Sequence, residues 1–313
     1  MTAIQTFLTT WSFEPLVVIS VLASALLYIL GVRYTSRLGI GPRLQWWQIT
    51  CFFLGLAVVF IALESEVDSG AGQFLWVHMV QHDLLLMIAP PLLLFGIPTW
   101  IIWRAFPASW RRGVLLVALR YRWPWRFGQT VGRLASRPLL IWGIFVGDFL
   151  IWHIPFFYDL TLYHENIHIM EHLLFIGTAL LFWAQVIPTH PQRRPAKQGK
   201  LARITAQPKH NARRLSYPQQ ALYLAAAVLI MNILGAIFVF STGPIYQYYA
   251  TLVRTPGMPS VVVDQHYAGA AMDVPGTFVF FFALMIVLGL WLREDEQEGQ
   301  AEAEIGKAGI ARS

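Results

Sequence analysis

His78 and His82 are four residues apart, which on a helix places two imidazoles on one face, one turn apart. His164, His168 and His172 continue that spacing over two further turns, with Glu171 three residues after His168. Neutral imidazole is the commonest protein metal ligand, and a pair at this spacing can chelate one ion. A neighbouring carboxylate can accept the second ring N–H and orient the ligand. His153 and His266 are further candidates, although each taken singly reads as a hydrogen-bonded core histidine. Asp83, Asp148, Asp264 and Asp273 supply carboxylates in the same segments. Met79, Met170 and Met272 add soft thioethers that would favour Cu(I), with plain core packing as the simpler reading. His168-x-x-Glu171-His172 also spells the arrangement of inverted zinc peptidases, in which the glutamate activates metal-bound water. Histidines on different spans can likewise serve as axial ligands of a b-type haem.

The segments carrying these residues are strongly apolar. In the 313-residue chain only 13% of residues are charged, 56% are hydrophobic and 14% are aromatic. A soluble protein of that length could not cover its surface with so few charges, which excludes soluble and disordered classes. Cys51 is the single cysteine, so a disulfide scaffold is excluded as well. Seven apolar stretches approach or reach the length needed to cross a bilayer: 16–32, 46–63, 74–95, 139–154, 167–187, 221–240 and 268–292. The third is expected to break near Pro90-Pro91, leaving Trp100 and Trp103 at the interface. The fourth is short and carries Asp148. The first has no basic flank or small-residue cleavage site and is not read as a signal peptide.

Every Lys and Arg except Arg254 falls on one side of this seven-span arrangement. Cytoplasmic loops are the basic ones, so the N-terminus is expected outside and the C-terminus inside. The expected fold is therefore all-α, a polytopic bundle of seven transmembrane helices forming one domain over 1–292. It includes a basic cytoplasmic linker at 188–218 and is followed by a disordered cytoplasmic tail at 293–313. Residues 110–137 read as an amphipathic helix on the inner leaflet. The formal charge of +6 is thus accounted for by topology, and nucleic acid is not an expected partner. With that orientation every histidine but His190 and His210 lies towards the outer face. Ionisable groups inside a bilayer are costly and usually pair within the bundle, so their convergence on one leaflet points to a site.

The run His78-Met79-Val80-Gln81-His82, followed by Ala89-Pro90-Pro91, resembles the integral-membrane CtaG family of cytochrome c oxidase assembly factors. Trp152-His153-x-Pro155 with Tyr158-Asp159, His168-x-x-Glu171-His172, Phe182-Trp183, and Asp264-Gln265 with Gly269, Met272 and Pro275-Gly276 fit the same pattern. The resemblance covers about residues 46–292. It implies a seven-helix bacterial inner-membrane protein needed to make active haem–copper oxidase by handling copper, with no catalytic role of its own. By position it points to His78, His82, His153, His168, Glu171, His172, Asp264 and Met272. Two departures are visible: Asp83 and Asp273 stand where the pattern expects apolar residues. The leading expectation is a metallochaperone with an outward-facing copper site. Its partners would be oxidase subunits and an extracytoplasmic copper donor. Zinc, an intramembrane zinc hydrolase and a haem redox protein are the alternatives.

Overall fold

The structure is a computed structural model that describes residues 11–39, 44–188, 215–254 and 256–310. Most of the linker expected at 188–218 lies outside the described residues. Among the described residues the chain is helical throughout and forms no strand. Six helices are long and apolar enough to cross a membrane: Pro15–Leu38 (α1), Trp46–Glu64 (α2), Leu75–Phe95 (α4), Glu165–Trp183 (α10), Tyr217–Phe240 (α11) and Val261–Ile310 (α13). Counted as one span, Arg122–Ala135 (α7) with Pro138–Trp152 (α8), a pair bent by 79°, would bring the number to seven. At 15 residues, α8 is about 22 Å long, short of a bilayer core of about 30 Å. The sharp bend fits α7 lying along a membrane surface before α8 enters the bilayer, as its Arg- and Trp-rich sequence leads one to expect. Ala108–Arg120 (α6) precedes α7.

Local sequence explains the helix ends. A reciprocal capping box, Gln45 with Gln48, opens α2, and Ser216 with Gln219 opens α11. Prolines at the first or second helical position start α1, α8 and α11. Gly39 closes α1 in the left-handed conformation, at φ 60°.

Helix α4 does not break at its prolines. It continues to Phe95, and the distortion is a π-helical turn at Leu84–Ile88 just before them. Pro90 has no N–H to offer the Leu86 carbonyl four residues earlier. The Trp183 indole of α10 donates to that oxygen instead, at 3.0 Å, so the backbone tolerates the proline inside the membrane. The chain leaves the helix at Gly96-Ile97, where buried Ile97 adopts φ 52°. Pro98–Ala105 (α5) then doubles back onto α1. There Gly31 is required, because a β-carbon would stand 2.2 Å from the Ile101 carbonyl oxygen.

Two apolar clusters result. Tyr28, Phe52, Leu56, Leu93 and Ile101 join α1, α2 and α5 to one flank of α4. The larger core packs α8, α10, α11 and α13 around its other flank. Of the spans, α4 has the largest buried share, which makes it the hub, and α1 has the smallest. Short helices Glu66–Ala71 (α3), Pro155–Tyr163 (α9) and Gln247–Thr251 (α12) cover one end. The tail expected to be disordered from 293 is instead helix through Ile310. Its Glu, Gln and Ala residues are good helix formers that continue the register of α13.

Candidate metal centre

Helix α4 presents His78 and His82 with ring centroids 4.3 Å apart, and α10 presents His168 and His172 at 4.2 Å. The two pairs face each other: His78 lies 5.1 Å from His168, and His82 lies 6.0 Å from His172. His153, at the end of α8, approaches His82 to 5.8 Å. Five imidazoles from three helices therefore share one space. Within it His78, His82, Glu171 and His172 each offer a donor atom, and these atoms all lie within 4.8 Å of one another. All four residues are buried.

Hydrogen bonds define which nitrogen is free. Tyr249 donates its hydroxyl to the Ala71 carbonyl at 2.6 Å, leaving only its oxygen lone pairs for the His78 Nδ1 3.2 Å away. With its proton on Nδ1, His78 can donate to that oxygen and to the Tyr158 oxygen at 2.7 Å. That tautomer leaves the His78 Nε2 lone pair pointing into the nest. His153 repeats the device: its Nδ1 donates to the Phe149 carbonyl at 2.7 Å, freeing Nε2. Burial pushes Tyr158 and Tyr249 above their ordinary value of 10.0, so both stay neutral.

What remains unpartnered is concentrated in this space. Nε2 of His78, His153, His168 and His172, both ring nitrogens of His82 and both oxygens of Glu171 are buried without a hydrogen bond. His82 Nε2 and Glu171 Oε1 are 3.6 Å apart, too long for one. Each buried polar atom left so costs about 1–3 kcal/mol. A cation among His78, His82, Glu171 and His172 would satisfy one donor atom of each, and the donor chemistry, neutral imidazole with one carboxylate, fits a transition metal.

The other sequence candidates lie elsewhere. Asp264 caps the start of α4, accepting from the Leu75 and Trp76 amides at 3.1 and 3.3 Å, and pairs with Arg254 at 2.9 Å. Met272 is buried in the large apolar core. Asp148 accepts from Trp152 at 3.0 Å and from Thr178 at 2.8 Å, tying α8 to α10. Asp83 is buried within electrostatic range of Asp273, which sits over Gly235. His266 bonds the Ser241 carbonyl. Sequence reasoning missed the tyrosines over the nest. Tyr158 stacks on Tyr246 at 3.8 Å, Tyr246 holds the His153 carbonyl at 3.0 Å, and Asp159 accepts the Gln247 and Tyr248 amides at 3.2 Å. The signal was present in Tyr246, Tyr248 and Tyr249, clustered in one short segment between the last two spans, and in Tyr158, which stands in the Tyr158-Asp159 motif.

The fold and this nest define a class: a multi-pass helical protein with a buried His/Glu cluster of metal-binding type. The chain belongs to the family of cytochrome c oxidase caa3 assembly factors (Caa3_CtaG), which it matches over residues 26–207 and 201–294. It is 26% identical over 299 residues to an uncharacterized protein of Mycobacterium leprae, covering 93% of this chain and 41% of that protein. Uncharacterized proteins of Mycobacterium bovis and Mycobacterium tuberculosis are each 24% identical over 306 residues, again 41% of their length. The chain thus spans well under half the length of these relatives. No solved structure matches.

Proposed function

We propose that this protein binds copper in the His78, His82, Glu171 and His172 nest and delivers it during assembly of a haem–copper cytochrome c oxidase. The observation that carries the reading is four mutually close, buried and unpartnered donors inside a member of an oxidase assembly family. The donors that meet are nitrogen and oxygen, which suit Cu(II) and Zn(II) alike. The choice of copper rests on the family. Delivery to a partner requires movement of the cover formed by α9 and α12, because Tyr158 and Tyr249 close directly over His78.

The geometry gives less support to the alternatives. A porphyrin between His82 and His172 would have to pass through His78, whose ring lies 4.3 Å from one and 6.5 Å from the other. A zinc hydrolase needs a further carboxylate ligand, and Asp264 is fully engaged by α4 and Arg254.

The test is metal content. Purified protein offered copper is expected to take it up with micromolar affinity or better, and His82→Ala with His172→Ala is expected to abolish both uptake and oxidase assembly. Protein that takes up no copper would sink the proposal. Selective zinc retention, with an activity lost in Glu171→Gln while metal stays bound, would redirect it to the hydrolase.

A further inference from the structure

The nest holds more donors than one ion uses. A tetrahedral site takes four ligands, and His78, His82, Glu171 and His172 already supply them. Outside that set stand His153 Nε2 and His168 Nε2, both buried and unpartnered, together with the second oxygen of Glu171. The spare lone pair of His153 is not an accident of an unconstrained ring. Its Nδ1 is committed to the Phe149 carbonyl, the Tyr246 hydroxyl bonds its carbonyl, and the residue is 5% exposed.

The two spare histidines extend the four-donor set in different directions, while His78 and His82 at its centre stand 4.3 Å apart. His78, His168 and His172 form a triangle with centroid distances of 5.1, 4.2 and 6.5 Å. His82 and His153 form a second group at 5.8 Å. His168 is the one partly exposed histidine of the five, so the triangle that contains it is the outer group and the pair the inner one. Glu171, one residue before His172, has two free oxygens and belongs by reach to both, as its 3.6 Å approach to His82 shows.

We infer that the nest is built for two metal ions, an outer one held by His78, His168 and His172 and an inner one held by His82 and His153, with the Glu171 carboxylate bridging them. The inference rests on the metal-binding reading above and deepens it. With a single ion bound, the four mutually close donors share it. On double loading they separate into the two groups. The inner ion then has only three protein ligands and keeps an open position, as an ion destined for transfer requires.

The experiment loads the purified full-length protein with Cu(II) alone, without reductant, and compares total copper per chain with the copper visible by EPR. Wild type is expected to hold two copper ions per chain with most of their EPR intensity lost, since carboxylate-bridged ions couple. His153→Ala is expected to halve the copper content and to make all remaining copper EPR-visible. His153→Gln, which preserves a polar side chain and the packing of α8, guards against loss of folding and should behave the same way. One copper per chain in wild type, unchanged by either variant, overturns the second position and leaves the metal-binding reading intact. Two per chain in all three proteins also overturns it, because the extra ion would then lie outside the nest. No copper in any protein is a failure of the reading itself.

Discussion

His78 uses its two nitrogens differently, and the difference comes from outside its own helix. Tyr158 and Tyr249, from α9 and α12, meet Nδ1, and accepting its N–H would hold Nε2 as a bare donor. Outer hydrogen bonds of this kind are worth about 10–100-fold in metal affinity. Tyr158→Phe with Tyr249→Phe is therefore expected to weaken copper binding by about that factor while leaving the far-ultraviolet spectrum unchanged, as measured by competition with a chelator. The histidine pairs were legible from spacing alone, because four residues return a helix to the same face. The role of Asp264 was not: a carboxylate near the end of a span reads alike whether it ligates an ion or caps a neighbouring helix. Only the placement of the Leu75 and Trp76 amides, far away in sequence, decides between them. The tyrosines were hidden for the same reason, since their loops acquire meaning only when folded over α4.

Helices were the most legible feature, since apolar length reports a span directly, and each of the seven stretches corresponds to a helix in the structure. What hydropathy cannot give is the treatment of a proline within a span. Pro90-Pro91 reads as a break until the donor supplied by another helix is known. Trp183 fills that role at the Leu86 carbonyl, one turn beyond His82. Trp183→Phe keeps most of the apolar contact but leaves the carbonyl unpartnered, at a cost of about 1–3 kcal/mol. Its thermal unfolding temperature in detergent is expected to fall accordingly. Adding Pro90→Ala restores a backbone N–H for the same oxygen, so the double variant should recover part of the loss. No recovery would mean that the indole acts through packing in the core instead.

At the scale of the whole molecule the basic residues are unevenly placed along its length. Asp68 on α3 lies within electrostatic range of Glu64, Glu14 and Glu165 at the covered end. Burial, aided by those acids and opposed by the Gln81 hydrogen bond, raises it from 3.8 to about 6. The folded protein thus binds this proton more tightly than the unfolded chain does. The contribution to stability is full below 3.8 and lost as pH rises through about 6. Asp68→Asn should flatten that part of the melting-temperature profile and gain most above it. The opposite end carries the arginines of α6 and α7, and among the described residues Arg254 is the basic residue that departs from this, pairing with Asp264. If basic segments stay cytoplasmic, the nest faces outward, where an extracytoplasmic donor can reach it. With Cys51→Ser removing the one native thiol, a cysteine can report either end. Val253→Cys, 93% exposed beside the short helices, should react with an impermeant maleimide applied to intact cells. Gln129→Cys, on the exposed face of α7, should react only after the membrane is opened. The reverse pattern would place the nest on the cytoplasmic side, and copper would then have to reach the protein from within the cell.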